Sequence, residues 1–141
     1  MNKKYNILIP GTVFLMPKSF VTLLDKYLSK ESDGTYELYF NNSEYCPVNG
    51  GVRPHRVIVK KSEPTYELHT LSSYDNHEHR AITQFDCISK QGWIERLFSF
   101  TFAEDPCIHE AIEMNLNELT QYAMSDFFDD VSVKPVTNVN L

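Results

Sequence analysis

The stretch Gln91-Gly92-Trp93-Ile94-Glu95-Arg96-Leu97-Phe98-Ser99-Phe100-Thr101-Phe102 decides the fold class. Ile94, Phe98, Phe100 and Phe102 fall on one side of an extended chain, with Arg96 interrupting them. Glu95 and Ser99 fall on the other. Side chains alternate across a strand and recur every 3.6 residues on a helix, so this period predicts a strand. Gln91-Gly92 reads as the turn that leads into it. Phe98, Phe100 and Phe102 are expected at the centre of the core, because each aromatic ring buries a large apolar area.

The same period recurs upstream. Tyr36, Leu38 and Phe40 alternate with Glu37 and Tyr39. Val57 and Val59 oppose Arg56, Ile58 and Lys60, and Tyr66, Leu68 and Thr70 start a further alternation. Ser62-Glu63-Pro64 reads as a turn between these two, and residues 72–78 as a polar loop. Between His79 and Ile88 either face can be apolar: Ile82 and Ile88 lie opposite Ala81, Phe85 and Cys87. Val131 and Val133 predict a last strand that stops near Pro135.

Two segments carry the helical period instead. Phe20, Leu23, Leu24, Tyr27 and Leu28 follow Pro17, which suits a first helical position, and Gly34 is read as the stop. Ile108, Ile112, Leu116, Leu119 and Tyr122 follow Asp105-Pro106, read as N-cap and first helical residue. The order is therefore helix, about five strands, helix, strand. Strands joined by short turns pair antiparallel, because parallel pairing needs long crossovers. The fold class is α+β, with both helices packed on the sheet.

Length fits one domain spanning 1–141, with 1–16 as an extended arm and 137–141 as a loose tail. The hydrophobic share of 42% and charged share of 23% are those of an ordinary globular chain, which needs no metal or disulfide to hold a core. The net charge is −6, yet residues 104–130 alone carry eight acids and no Lys or Arg. The acidity is local, and that segment repels phosphate and anionic membranes. The three cysteines, Cys46, Cys87 and Cys107, are odd in number and form no Cys-x-x-Cys pair, which fits a cytoplasmic protein. Lys3 and Lys4 precede the apolar Ile7-Leu8-Ile9, but Pro10-Gly11 breaks the run, so no signal peptide is expected.

Three clusters bear chemistry. Asp75, His77 and His79 project to one side of an extended chain, with Glu78 between the histidines. Two imidazoles and a carboxylate suit zinc or non-haem iron and would make a small metal-dependent enzyme. A solvated polar turn explains the same residues, so no metal and no cofactor is assigned. Arg53, His55, Arg56, Lys60 and Lys61 form a basic run near several tyrosines, the pattern of a weak single-stranded nucleic-acid binder. Charges on an exposed strand explain it equally. Asp86-Cys87 and Cys107 offer thiols, but Glu104 and Asp105 beside Cys107 oppose activation. No catalytic residue and no small-molecule site is assigned. Gly50-Gly51 is too short for a phosphate loop and reads as a turn.

A resemblance is carried by Tyr39-Phe40-Asn41-Asn42-Ser43-Glu44-Tyr45-Cys46-Pro47 and Gly50-Gly51-Val52-Arg53-Pro54, which leads into a strand. Ile82-Thr83-Gln84-Phe85, Phe98-Ser99-Phe100-Thr101-Phe102 and a late helix ending in a Val-x-Val strand follow in the same order. Across roughly residues 17–136 the chain resembles a small uncharacterised gamma-proteobacterial family, some of whose members are encoded on pathogenicity or mobile islands. Arg53 stands where that family carries His. The resemblance implies the fold of the acidic mitochondrial matrix protein that binds complement C1q: a twisted antiparallel sheet of about five to seven strands with terminal helices. It implies no catalytic residues. Taken with the composition, it favours a non-enzymatic interaction domain with a protein partner or a homo-oligomer, and nucleic acid is disfavoured.

Overall fold

The computed structural model describes residues 6–12, 14–45, 51–74, 81–94, 98–101 and 107–136, with the backbone alone for 81–82, 93–94 and 98–101. In chain order the elements are α1 (Lys18–Leu28), β1 (Gly34–Asn41), β2 (His55–Ser62), β3 (Thr65–Tyr74), β4 (Ala81–Asp86), β5 (Gln91–Ile94), β6 (Phe98–Thr101), α2 (Ile108–Met124) and β7 (Asp130–Pro135). They form an α+β fold whose seven strands make one sheet in the order β6-β5-β4-β3-β2-β1-β7. Every neighbouring pair is antiparallel. The chain thus meanders from β1 out to β6, and β7 returns after α2 to lie beside β1.

The alternations read from sequence place the core. Tyr36, Leu38 and Phe40 of β1 and Val57 and Val59 of β2 are buried on one face, beside Phe20, Leu24 and Leu28 of α1 and Ile112, Leu116 and Leu119 of α2. Both helices therefore cover the same side of the sheet. On β3 the alternation breaks. Val59 pairs with Leu68 but Ile58 pairs with Thr70, so His69 is an extra residue. A bulge of this kind lets Leu68 and Leu71, three residues apart, both point inward. Thr70, expected in line with Tyr66 and Leu68, turns outward for that reason.

Several boundaries move from the sequence reading. Residues 72–74 are not loop but the end of β3: Ser72 pairs with Gln84 and Tyr74 with Ala81, and the Tyr74 amide donates to the Pro54 carbonyl. The β4–β5 turn lies at residues 87–90, not at Gln91-Gly92, which pair with Asp86 and Phe85 inside the hairpin. Asp86 sets that turn, its Oδ1 accepting the amides of Ile88 and Ser89, and Lys90 closes it at φ 58°. Phe85 and Cys87 take the inner face and Ile88 is exposed, which resolves the ambiguity of that segment.

Helix ends shift as well. Pro17 is the cap of α1 rather than its first residue, its carbonyl accepting the amides of Phe20 and Val21. The helix stops at Leu28, well before Gly34, because the chain supplies a cap from another strand: Lys61 Nζ donates to the carbonyls of Leu28 (2.7 Å), Ser29 (3.4 Å) and Glu31 (2.7 Å). The cap of α2 is Cys107, without a side-chain bond, and Asp105-Pro106 lie outside the described residues. Phe98 and Phe100 lie on β6 at one margin of the sheet; Phe102 and the side chains of the other two lie outside the description. The described core centres on β1–β3 instead.

Residues 6–12 and 14–16 fold against the flank of β3 that β4 does not reach. The Ile7 amide donates to Tyr66 O, Leu68 N donates back to Ile7 O, and Asn6 Oδ1 accepts the Tyr66 amide. Leu8, Ile9 and Met16 are buried there. No helix of the described residues is long and apolar enough to cross a membrane.

Candidate functional site

The basic run does not form one face. Because β2 alternates, His55 and Lys61 point into the core while Arg56 and Lys60 point out. A continuous cationic track for a phosphate backbone would need all of them on one side, so this correction removes the geometry of the nucleic-acid reading.

The two inward members have structural roles. Lys61 caps α1, as above. His55 sits at the edge of an aromatic cluster, 6.1 Å from Phe128, which packs at 5.4 Å on Phe40 and at 6.4 Å on Tyr122. Its Nδ1 lies 2.8 Å from the Arg53 carbonyl. Burial holds its pKa down at about 4, outweighing the Arg53 carbonyl that favours the charged form. An unfolded chain protonates this ring near 6.5, so on acidification the unfolded state takes the proton first. Stability is intact above pH 6.5 and falls progressively toward pH 4. At 1.36 kcal/mol per pKa unit, about 3 kcal/mol is lost by pH 4. Urea titrations of wild type and His55→Phe between pH 7 and pH 4 are expected to diverge by that amount; parallel curves would show that His55 takes no part.

The candidate thiols are unequal. Cys87 is fully buried, and burial, with Asp86 adding to it, pushes the thiol up to about 12. Thiolate is the nucleophile, so Cys87 is inert in the folded chain. Cys107 is exposed at the start of α2. Iodoacetamide at pH 8 followed by peptide mapping is expected to label Cys107 within minutes and Cys87 only after denaturation. Equal labelling of the native chain would contradict the burial of Cys87. Cys46 lies outside the described residues.

Asp75, His77, Glu78 and His79 also lie outside the described residues. Among the described residues no group of three metal-ligating side chains comes together. His69 and Glu67 approach at 3.2 Å on β3, a pair rather than a ligand set.

The strongest constellation was not singled out from sequence as a site. On the sheet face away from the helices, a depression of about 600 Å³ is lined by Glu37, Tyr39, Arg56, Tyr74, Gln84, Ser132 and Lys134. Each lies on the outward parity of its strand: β1, β2, β3, β4 and β7 all contribute. Arg56 Nη1 reaches Glu37 Oε1 at 3.4 Å, a long single contact between partly exposed groups that is worth under about 1 kcal/mol. Arg56 Nε is buried and has no acceptor among the described residues. The rings of Tyr39 and Tyr74 meet at 6.3 Å, tilted by 49°. Burial raises the Tyr39 phenol above its usual range, with Tyr74 and Asp130 adding to the effect. Ser72 Oγ donates to Gln84 Oε1 at 3.5 Å, which leaves the Gln84 amide nitrogen out of that bond. Glu37, Tyr39 and Arg56 were legible in the sequence as outward residues of their alternations, but their convergence with Tyr74 and Lys134 depends on register, which no single strand reveals.

A second hollow of about 500 Å³ lies beside α1, lined by Thr22, Asp25, Lys26, Ser29, Lys61, Glu63 and Tyr66. Tyr66 Oη donates to Asp25 Oδ1 at 2.7 Å, and its phenol is raised first by burial and then by that carboxylate. Tyr66, Asp25 and Lys61 are thus already spent on each other and on the α1 cap.

The class so defined is an α+β fold with a seven-stranded antiparallel sheet, N- and C-terminal helices on one face, and a polar, donor-rich depression on the other. Two solved structures share the fold. One is a conserved hypothetical protein from the VPI-2 pathogenicity island of Vibrio cholerae, itself described as sharing structural homology with the human P32 protein. It is 17% identical with a TM-score of 0.72, over 94% of this chain and 100% of that one. The other is a hypothetical protein from the VSP-II pathogenicity island of Vibrio cholerae, 12% identical with a TM-score of 0.72, over 92% of this chain and 99% of that one. At such identities the likeness is one of fold, and it agrees with the fold implied by the sequence resemblance. No protein-family model and no curated protein matches the chain.

Proposed function

We propose that the chain is a non-enzymatic protein-interaction domain, acting in the cytoplasm, whose outward sheet face is the contact surface. The observation that carries this reading is the depression joining five strands around Tyr39, Tyr74 and Arg56. Tyr and Arg are the residue types that dominate binding hot spots, because they combine large area with directional donors. Fold kinship to the Vibrio proteins supports the reading only as analogy. The partner is either a different protein or a further copy of the chain. The acidic outer surface of α2, with Glu110, Glu113 and Glu118, serves in this reading as a solvated face that discourages contacts with nucleic acid.

Photo-crosslinking in the native cell tests it. A benzophenone amino acid at position 39 or 134 is expected to yield one reproducible protein adduct, while the same group at position 117 on α2 yields none. Adducts from position 117 alone, or from no position, would overturn the proposal.

A further inference from the structure

The donors in the sheet-face depression are not matched by acceptors. Among the lining residues, two cations, Arg56 and Lys134, stand against one carboxylate, Glu37. Glu37 lies between them, opposite Lys134 across the β1–β7 ladder, yet it meets Arg56 through one long bond and leaves the buried Nε without an acceptor among the described residues. A buried guanidinium nitrogen without a partner is costly, and a planar carboxylate is the group that satisfies it. Gln84 lines the hollow from β4, and the tyrosine pair Tyr39 and Tyr74 walls it with aromatic surface. Asp130, on the same parity of β7, places negative charge near Tyr39, so the cationic part of the depression is the end held by Arg56 and Lys134.

Resting on the reading of this face as an interaction surface, we propose that the depression receives the carboxylate of a Glu or Asp side chain from an acidic segment of the partner. The incoming carboxylate bonds the partly exposed Arg56 guanidinium through its Nη groups, with Lys134 as a flanking cation and Gln84 on the far wall, while its neighbouring residues lie against the two tyrosines. Glu37 is a competitor for the same guanidinium. That gives the site an unusual sign: neutralising an acid inside it strengthens binding of an acid.

The test is a titration of the ¹⁵N-labelled full chain with acetyl-Ser-Tyr-Glu-Tyr-Ser-amide and with its Gln counterpart, each up to about 5 mM. The Glu peptide is expected to shift the amide signals of Glu37, Tyr39, Arg56, Gln84 and Lys134, and the Gln peptide to bind at least about tenfold more weakly. Arg56→Gln should weaken the Glu peptide about tenfold or more, and Glu37→Gln should tighten it about threefold. Equal shifts with both peptides, no shift at these residues, or a Glu37→Gln variant that weakens binding would each overturn the proposal. If Arg56→Gln fails to fold, Glu37→Gln and the peptide pair still decide it. Should the peptides fail while position 39 and 134 crosslinks persist, the interaction surface stands and its carboxylate specificity falls.

Discussion

Phe40→Ala is expected to cost roughly 3–5 kcal/mol of folding stability. Phe40 is fully buried at the end of β1 and joins three parts of the fold. It meets Tyr27 of α1 edge-on at 5.9 Å and Phe128, in the α2–β7 connection, at 5.4 Å. Across the ladders it pairs with His55 of β2 and Val131 of β7. Truncation therefore removes aromatic contacts from both helical layers and leaves a cavity beside a buried imidazole. The ring neighbours cannot close it cheaply, since Phe128 is itself held between His55 and Tyr122. Phe40→Leu, which retains most of the volume, should cost under about 2 kcal/mol. Urea denaturation of the three proteins checks both figures. A Phe40→Ala cost below about 1 kcal/mol would mean that this end of the sheet is not packed as described.

The same region shows why the sequence was legible in some places and silent in others. The burial of Tyr36, Leu38 and Phe40 was readable because strand alternation is a local property. So was the pairing class, because short turns permit only antiparallel neighbours. The bulge at His69 was not readable: nothing about His69 marks it as extra, and only the need to seat both Leu68 and Leu71 in one core creates it. The Asn42-Ser43 motif illustrates a similar gap. Asn42 Nδ2 donates to the Phe127 carbonyl at 2.6 Å, and Ser43 donates its amide and hydroxyl to Asp129. The part of the resemblance that looked most like a signature thus ties the β1–β2 loop to the α2–β7 connection, residues more than eighty positions later. The basic run failed in the opposite direction. Adjacent charges on a strand point to opposite faces, so a cluster in sequence became one buried cap, one buried imidazole and one pocket arginine.

That buried cap leads to the second large effect. Lys61→Met is expected to cost about 2–3 kcal/mol, although methionine matches the volume and is far easier to bury. Two terms oppose each other. Replacing an ammonium that is 2% exposed by a thioether recovers the desolvation cost of the charge, which often makes such swaps neutral when both partners of a pair are replaced. Here the partners remain. Leu28, Ser29 and Glu31 keep their carbonyls, and these are the acceptors that a helix end leaves unsatisfied. Ser29 and Glu31 are exposed and can rehydrate, whereas the carbonyl of the fully buried Leu28 keeps only the Glu31 amide, at 3.0 Å, and loses its charged donor. Loss of that charge-assisted bond costs about 1.5–3 kcal/mol, and loss of a cation at the negative end of α1 adds up to about 1 more. These losses outweigh the relief. At about 4 °C per kcal/mol the melting temperature should fall by roughly 8–12 °C. Hydrogen exchange should localise the loss to the last turn of α1 and to β2, the two elements that Lys61 joins. A variant as stable as wild type would mean that water reaches the Leu28 carbonyl, and that α1 ends where it does for a reason other than the lysine.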